Sequence, residues 1–154
     1  MFKHKDLSTL FIIWFFMLFS IIPYGFIAFK VIEKEREPGF EGNYDSYMMF
    51  LKILIVISVL IGILSVYLKK IFLKESFYSK FFKNNNAKGV YFITIILISA
   101  LAESISIYGL VLVFLGRNMT IFLIFGIGAS MIMLFNKPSV KEYEKFKVNF
   151  ESRG

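Results

Sequence analysis

Long apolar stretches alternate with short charged segments along the whole chain. Four such stretches stand out, at residues 7–29, 47–68, 89–115 and 119–135. A helix needs roughly 20 predominantly apolar residues to cross the hydrocarbon core of a bilayer, and about 17 is the lower end of the usual range. The pattern therefore predicts four transmembrane helices, because the bilayer core offers no water to unpaired backbone groups.

The composition agrees with an all-α integral membrane protein. Hydrophobic residues make up 57% of the 154 residues, and Phe alone occurs 20 times. The stretch at 7–29 is too long for a cleaved signal peptide, and no small-x-small cleavage site follows it. The four stretches leave too little chain for a separate soluble domain. We therefore expect residues 1–154 to form one four-helix transmembrane domain in contact with the lipid bilayer.

The distribution of Lys and Arg predicts the orientation of the chain in the membrane. The N-terminal tail, residues 69–88 and residues 137–154 are basic, whereas the segment between the first two stretches is acidic overall. Short loops rich in Lys and Arg stay on the cytoplasmic side. Both termini and residues 69–88 are therefore predicted to be cytoplasmic, with the chain in the inner (plasma) membrane. The net charge of +7 is explained by this bias, so no nucleic-acid partner is expected.

The two larger basic segments also carry apolar residues at helical spacing. In residues 69–88, Phe and Leu alternate with Lys, which is typical of a short amphipathic helix in the membrane interface. In residues 137–154, Ser139 followed by Glu142 matches a capping box. The apolar residues of this tail fall roughly on one helical face: Val140, Tyr143, Phe146 and Phe150. These faces either lie on lipid or dock a partner protein, and the Lys-plus-Phe composition favours lipid.

The sequence offers little material for catalysis or for a bound metal or cofactor. The absence of Cys excludes disulfides and thiolate chemistry, and a single His argues against His-based ligation. The acidic segment between the first two stretches lacks the ligand order of a calcium-binding loop. Catalysis usually needs several convergent polar groups, and the apolar stretches hold few. We expect no catalytic residues, no metal and no cofactor.

Glu103 is the only charged residue of the third stretch and lies near its middle. A charged carboxylate at the bilayer centre costs about 2.5–3.5 kcal/mol on insertion scales. Glu103 is therefore expected to be protonated, or to face the bundle interior or a wet cavity. Ser99 and Ser106 lie on the adjacent helical turns and are the candidate ion-binding partners. No Lys or Arg lies at the depth of Glu103 in any stretch.

Small residues beside Glu103 predict close packing of the third and fourth helices. A stripe of small residues beside Glu103 consists of Ala102, Ser106, Gly109 and Gly116, and the fourth stretch offers Gly126, Gly128, Ala129 and Ser130. Small side chains allow two helix backbones to approach closely. For a hairpin between the two stretches, we expect Gly109 to lie beside Gly126. If the third helix packs elsewhere, Glu103 would face Ser20 or Ser58 of the first two stretches.

Residues 100–113 read Ala-Leu-Ala-Glu-Ser-Ile-Ser-Ile-Tyr-Gly-Leu-Val-Leu-Val. This segment resembles the ion-carrying helix of the proteolipid subunits of rotary ATPases, which hold a carboxylate in an Ala-Glu-Ala…Ile-Tyr-Gly-Leu context. In that family the carboxylate binds the transported proton or sodium ion in the middle of the membrane. The resemblance implies that Glu103 is the ion-binding carboxylate here, and it covers this one segment of the chain.

Three functional interpretations remain open from the sequence. The first is an accessory or scaffolding subunit of a larger membrane complex or a homo-oligomer, in which Glu103 bonds to a helix of another chain. The second is a protein that handles protons or sodium ions, with Glu103, Ser99 and Ser106 as the ion-binding residues. The third, a membrane enzyme, is the weakest because the polar groups are few. The short loops and the absence of a soluble domain favour the first.

Overall fold

The structure, a computed structural model, describes residues 5–34, 44–74 and 86–152, and within these ranges it contains helices and no strand. This confirms the predicted all-helical class. The six helices are α1 (Lys5–Phe19), α2 (Ile21–Glu33), α3 (Tyr44–Phe72), α4 (Ala87–Gly116), α5 (Met119–Phe135) and α6 (Val140–Glu151).

Three helical segments are long and apolar enough to cross a bilayer. They are the α1–α2 pair from Leu7 to Glu33, helix α3 and helix α4. Helix α5 has 17 residues and reaches the length of a span only together with α6, from which it is bent by 52°. The described part of the chain therefore holds three to four candidate spans, as expected of a multi-span membrane protein.

The first span is interrupted at Ser20, between α1 and α2. The backbone stays close to helical there, because Ser20 has φ −60° and ψ −21° and its N–H still bonds to the carbonyl of Phe16 at 2.9 Å. Pro23 follows three residues later and has no N–H for the carbonyl one turn before it. The break therefore lies one turn before the proline.

Side chains and backbone geometry fix the ends of the α4–α5 hairpin. The Asn86 side chain accepts a bond from the N–H of Gly89 at 2.7 Å and so caps α4. Arg117 ends α4 in the left-handed conformation, with φ 52° and ψ 34°. The Asn118 side chain then accepts from the N–H of Thr120 at 3.0 Å and starts α5. A two-residue turn therefore sets α5 directly against α4.

Helix α4 is the centre of the bundle. It contacts all five other described helices, most extensively α5, which confirms the expected close packing of the third and fourth stretches. A second link crosses the bundle, because Trp14 of α1 donates its indole N–H to the carbonyl of Met133 in α5 at 3.2 Å. Helix α3 is peripheral, and Ser65 is the one buried residue in it.

The C-terminal helix α6 packs on the protein itself. Its buried Tyr143 and Phe146 share a cluster with Leu7 of α1 and with Val90 and Tyr91 of α4. The apolar face that we expected to lie on lipid or on a partner is thus largely covered by helices of the same chain. The physical reason is that α4 begins with a large apolar surface, which α6 can cover after its 52° bend.

The predicted interfacial helix at 69–88 is only partly described. Helix α3 continues to Phe72, and Asn86 already caps α4. Residues 75–85, which would form most of that helix, lie outside the described residues.

Candidate functional site

The carboxyl group of Glu103 is hydrogen-bonded to the first span. Its Oε1 atom lies 2.5 Å from Ser20 Oγ and 2.9 Å from Tyr24 Oη. All three side chains are half-buried. The chain therefore supplies polar partners of its own to the carboxyl group of Glu103.

Helix packing brings these three residues together. Helix α2 packs on α4 and α5 through a cluster that includes Ala28, Val113 and Phe122, with Tyr24 at its edge. Ser20 and Tyr24 are four residues apart on a nearly helical backbone, so both lie on the face of the first span that meets α4. The carboxyl group of Glu103 thus lies beside the break in the first span, because Ser20 is the residue at that break.

The Ser20 hydroxyl has more short contacts than it has hydrogens. Its Oγ is 2.7 Å from the carbonyl of Met17 and 2.5 Å from Glu103 Oε1, but a hydroxyl carries a single hydrogen. If Glu103 is ionised, one of these oxygen–oxygen contacts has no hydrogen of its own. If Glu103 is protonated, it can donate to Ser20, and Ser20 can donate to Met17. Every contact then has a hydrogen, so both short contacts of Ser20 can be hydrogen bonds at once.

The Tyr24 hydroxyl completes the arrangement in either state. It donates to Glu103 Oε1 at 2.9 Å, and a carboxyl oxygen can accept this bond whether or not the group carries a proton. When the carboxyl is ionised, this bond is charge-assisted and stronger than a neutral one. Tyr24 therefore offsets part of the cost of a charge at this depth.

The serines that we predicted as ion-binding partners do not contact the carboxyl group. Ser106 donates to the backbone carbonyl of Glu103 at 2.7 Å. Ser99 Oγ is buried and has no hydrogen-bond partner among the described residues. Serines within helices commonly turn toward the backbone of their own helix, which explains Ser106. The carboxyl group therefore contacts Ser20 and Tyr24 and neither of these serines, and a role of Ser99 and Ser106 in ion binding stays a prediction.

The atoms nearest to a Cβ on Gly109 belong to Phe125 and Phe122 and not to the expected Gly126. A Cβ atom on Gly109 would lie 2.7 Å from Phe125 Cβ and 3.3 Å from Phe122 Cα. Gly126 faces Ile21 of α2, whose Cγ2 would be 3.5 Å from an added Cβ. The space beside Gly109 is therefore filled by Phe122 and Phe125, the two phenylalanines in the helical turn before Gly126. The other two predicted packing residues lie on the same helix: Ala129 is buried in the α4–α5 contact, and Ser130 bonds to the carbonyl of Gly126 at 2.8 Å.

In comparisons with known proteins, no protein family, curated protein or solved structure matches the chain. In the described ranges, no group of three His, Cys, Asp or Glu residues is arranged to hold a metal ion.

Proposed function

We propose that this chain is a small multi-span membrane protein that handles protons, with Glu103 as the proton-binding group and Ser20 and Tyr24 as its partners. The observation that carries the proposal is the pair of short contacts of the Ser20 hydroxyl, at 2.5 Å to Glu103 and 2.7 Å to Met17. An ionisable residue within a membrane span is by default a functional candidate. The resemblance of residues 100–113 to proteolipid subunits points the same way.

The ligand we propose is a proton and not a sodium ion. Tyr24 directs its hydroxyl hydrogen at the carboxyl oxygen of Glu103. Ser20 and Tyr24 already occupy both lone-pair directions of Oε1, so a cation at that oxygen would have to displace one of them, whereas a proton on the carboxyl leaves both contacts in place. The hydroxyl of Ser20 can accept that proton in a hydrogen bond.

Loss of the proton would change the hydrogen bonding at the break in the first span. The Ser20 hydrogen would turn from the carbonyl of Met17 to the ionised carboxylate of Glu103. The Ser20 side chain would then lose its bond to the last turn of α1, while the backbone bond from the Ser20 N–H to Phe16 would remain. Proton release at Glu103 is thus coupled to the loss of one side-chain hydrogen bond at the junction between α1 and α2.

The experiment compares the parent chain with Glu103→Gln, which keeps the size of the side chain but cannot release a proton. Both are reconstituted in vesicles with a pH gradient, and both are treated with a hydrophobic carbodiimide, which reacts with protonated carboxyls in apolar surroundings. We expect proton flux and labelling in the parent and neither in the variant. Glu151→Gln is the matched control, because the Glu151 side chain is 61% exposed. Equal flux in the parent and Glu103→Gln would contradict the proposal.

We further propose four spans with both termini in the cytoplasm of a plasma-membrane protein, with α5 as the short fourth span. The distribution of Lys and Arg supports this orientation. In this cysteine-free chain, Gly42→Cys and Asn85→Cys test it with an impermeant thiol reagent on intact cells. We expect labelling at position 42 and none at 85. Labelling from outside at position 85 would reverse the orientation.

A second candidate function is an accessory subunit of a larger membrane assembly or a homo-oligomer. It is favoured by a groove of about 290 Å³ between α3, α4 and α5, lined by Gly62 and Gly128. Ser58 also lines it, and its hydroxyl is buried without a hydrogen-bond partner in the described residues. Purification in mild detergent separates the two functions. A subunit should co-purify with other chains in fixed ratio, and Glu103→Gln should leave that assembly intact.

A further inference from the structure

A cavity of about 440 Å³ lies at the basic end of the bundle, where α3 ends and α6 packs across. Its polar lining consists of three lysines, two asparagines and one glutamate: Lys69, Lys70, Lys145, Asn136, Asn149 and Glu142. This site is separate from Glu103, which does not line the cavity.

The single acidic residue of the cavity is already neutralised. Glu142 Oε2 lies 2.8 Å from Lys69 Nζ and accepts a hydrogen bond from Tyr91 Oη at 3.1 Å. The Lys69 side chain is only 14% exposed, so this pair is held in place by packing. Lys70 and Lys145 make no ion pair within the described residues. The lining therefore presents two uncompensated positive charges.

The position of the cavity identifies the kind of ligand. Lys69 and Lys70 follow the apolar part of α3, at the depth where lipid headgroups meet a spanning helix. Leu73 and Phe146 add apolar lining. Basic pockets between helices on the cytoplasmic side are typical sites for anionic headgroups, and Lys is a common phosphate-binding residue.

We propose that this cavity binds a phosphate group, supplied by the headgroup of an anionic phospholipid. The ammonium groups of Lys70 and Lys145 neutralise the phosphate oxygens, and the amide of Asn149 donates a hydrogen bond. Because Lys70 belongs to α3 and Lys145 belongs to α6, one bound phosphate links the two helices. Binding therefore stabilises the docked position of α6.

The test uses the full chain, purified in an uncharged detergent and freed of lipid, with the thermal midpoint as the measurement. The added probes are phosphatidylglycerol, phosphatidylcholine with the same acyl chains, and inorganic phosphate. We expect phosphatidylglycerol to raise the midpoint of the parent and phosphatidylcholine to have no such effect. No rise with phosphatidylglycerol, or an equal rise with phosphatidylcholine, would overturn the proposal.

The variant Lys70→Gln/Lys145→Gln should need at least tenfold more phosphatidylglycerol for the same rise, and it leaves the Lys69–Glu142 pair intact. Lys137→Gln/Lys141→Gln is the matched control, since both of its lysines are exposed at the same end of the bundle and neither lines the cavity. Equal loss in both double variants would refute the site. If the Gln variant fails to fold, Lys70→Arg/Lys145→Arg keeps the charges and must retain the response.

Inorganic phosphate decides the source of the ligand. If millimolar phosphate produces the same rise, with the same dependence on Lys70 and Lys145, the site binds phosphate from solution and the headgroup assignment is wrong. If phosphate has no effect while phosphatidylglycerol does, the headgroup assignment holds.

Discussion

An alanine at Gly109 should separate the two most closely packed helices of the bundle. Its Cβ would lie 2.7 Å from Phe125 Cβ and 3.3 Å from Phe122 Cα. Carbon atoms in contact prefer roughly 3.5–4.0 Å, so α5 must move away by about 0.8 Å or more. Neither neighbouring atom can rotate aside, because Phe122 Cα is a backbone atom and Phe125 Cβ is bonded directly to the backbone of its own residue.

The expected cost follows from this displacement. Overpacking of a fitted core typically costs about 1–3 kcal/mol. Replacing Gly by Ala within a helix gains up to about 1 kcal/mol from helix propensity, so a control must carry the same gain. Gly128→Ala provides it, because a Cβ there meets nothing within 4 Å. We therefore expect Gly109→Ala to be less stable than Gly128→Ala by about 1–3 kcal/mol.

Trp14 makes the measurement direct. It is the single Trp of the chain, and its indole N–H bonds α1 to α5 at 3.2 Å, so its fluorescence reports the loss of that contact. At about 2–4 °C per kcal/mol for a chain of this size, the midpoint of Gly109→Ala should lie roughly 2–12 °C below that of Gly128→Ala. Equal midpoints would refute the packing at Gly109. A larger loss for Gly126→Ala would restore the glycine pairing that the sequence predicts.

Two further predictions concern single hydrogen bonds. Tyr24→Phe removes the phenolic donor to Glu103 and should lower the free energy of unfolding by about 0.5–1.5 kcal/mol. The control Tyr67→Phe, on the exposed side of α3, should change that free energy little. Similar losses in the two variants would mean that the Tyr24 bond contributes nothing. Ser139→Ala removes the acceptor of the Glu142 N–H and should destabilise α6 by about 0.5–2 kcal/mol. Limited proteolysis should then cut α6 faster than in the parent, and unchanged cleavage would count against the cap.

The sequence predicts the helices of this protein well and their facing sides poorly. The length of an apolar run sets where a helix can span, and the predicted bounds 119–135 coincide with α5. Ser139 also caps a helix where the sequence predicts a capping box. These features depend on neighbouring residues alone, so a single sequence is enough to find them.

The partners of Glu103 depend on contacts between distant helices. The small residues correctly indicated that α4 packs on α5, but the carboxyl group of Glu103 faces Ser20 and Tyr24 of the first span. Ser20 was identifiable only as a residue at similar depth. The signal that was missed is the spacing of Ser20 and Tyr24, which puts two hydroxyls on one side of a span that a proline interrupts.

The cluster around Tyr91 has a consequence for synthesis. Leu7 and Leu10 near the start of the chain and Tyr143 and Phe146 near residue 150 cover the same end of α4. A ribosome delivers these groups more than a hundred residues apart, and long-range contacts form late because loop closure must come first. Until α6 has been synthesised, the part of this cluster that Leu7 and Leu10 of α1 form therefore lacks the side chains of Tyr143 and Phe146. A chain whose translation stops before residue 140 would carry an open apolar face, which a membrane quality-control protease could recognise.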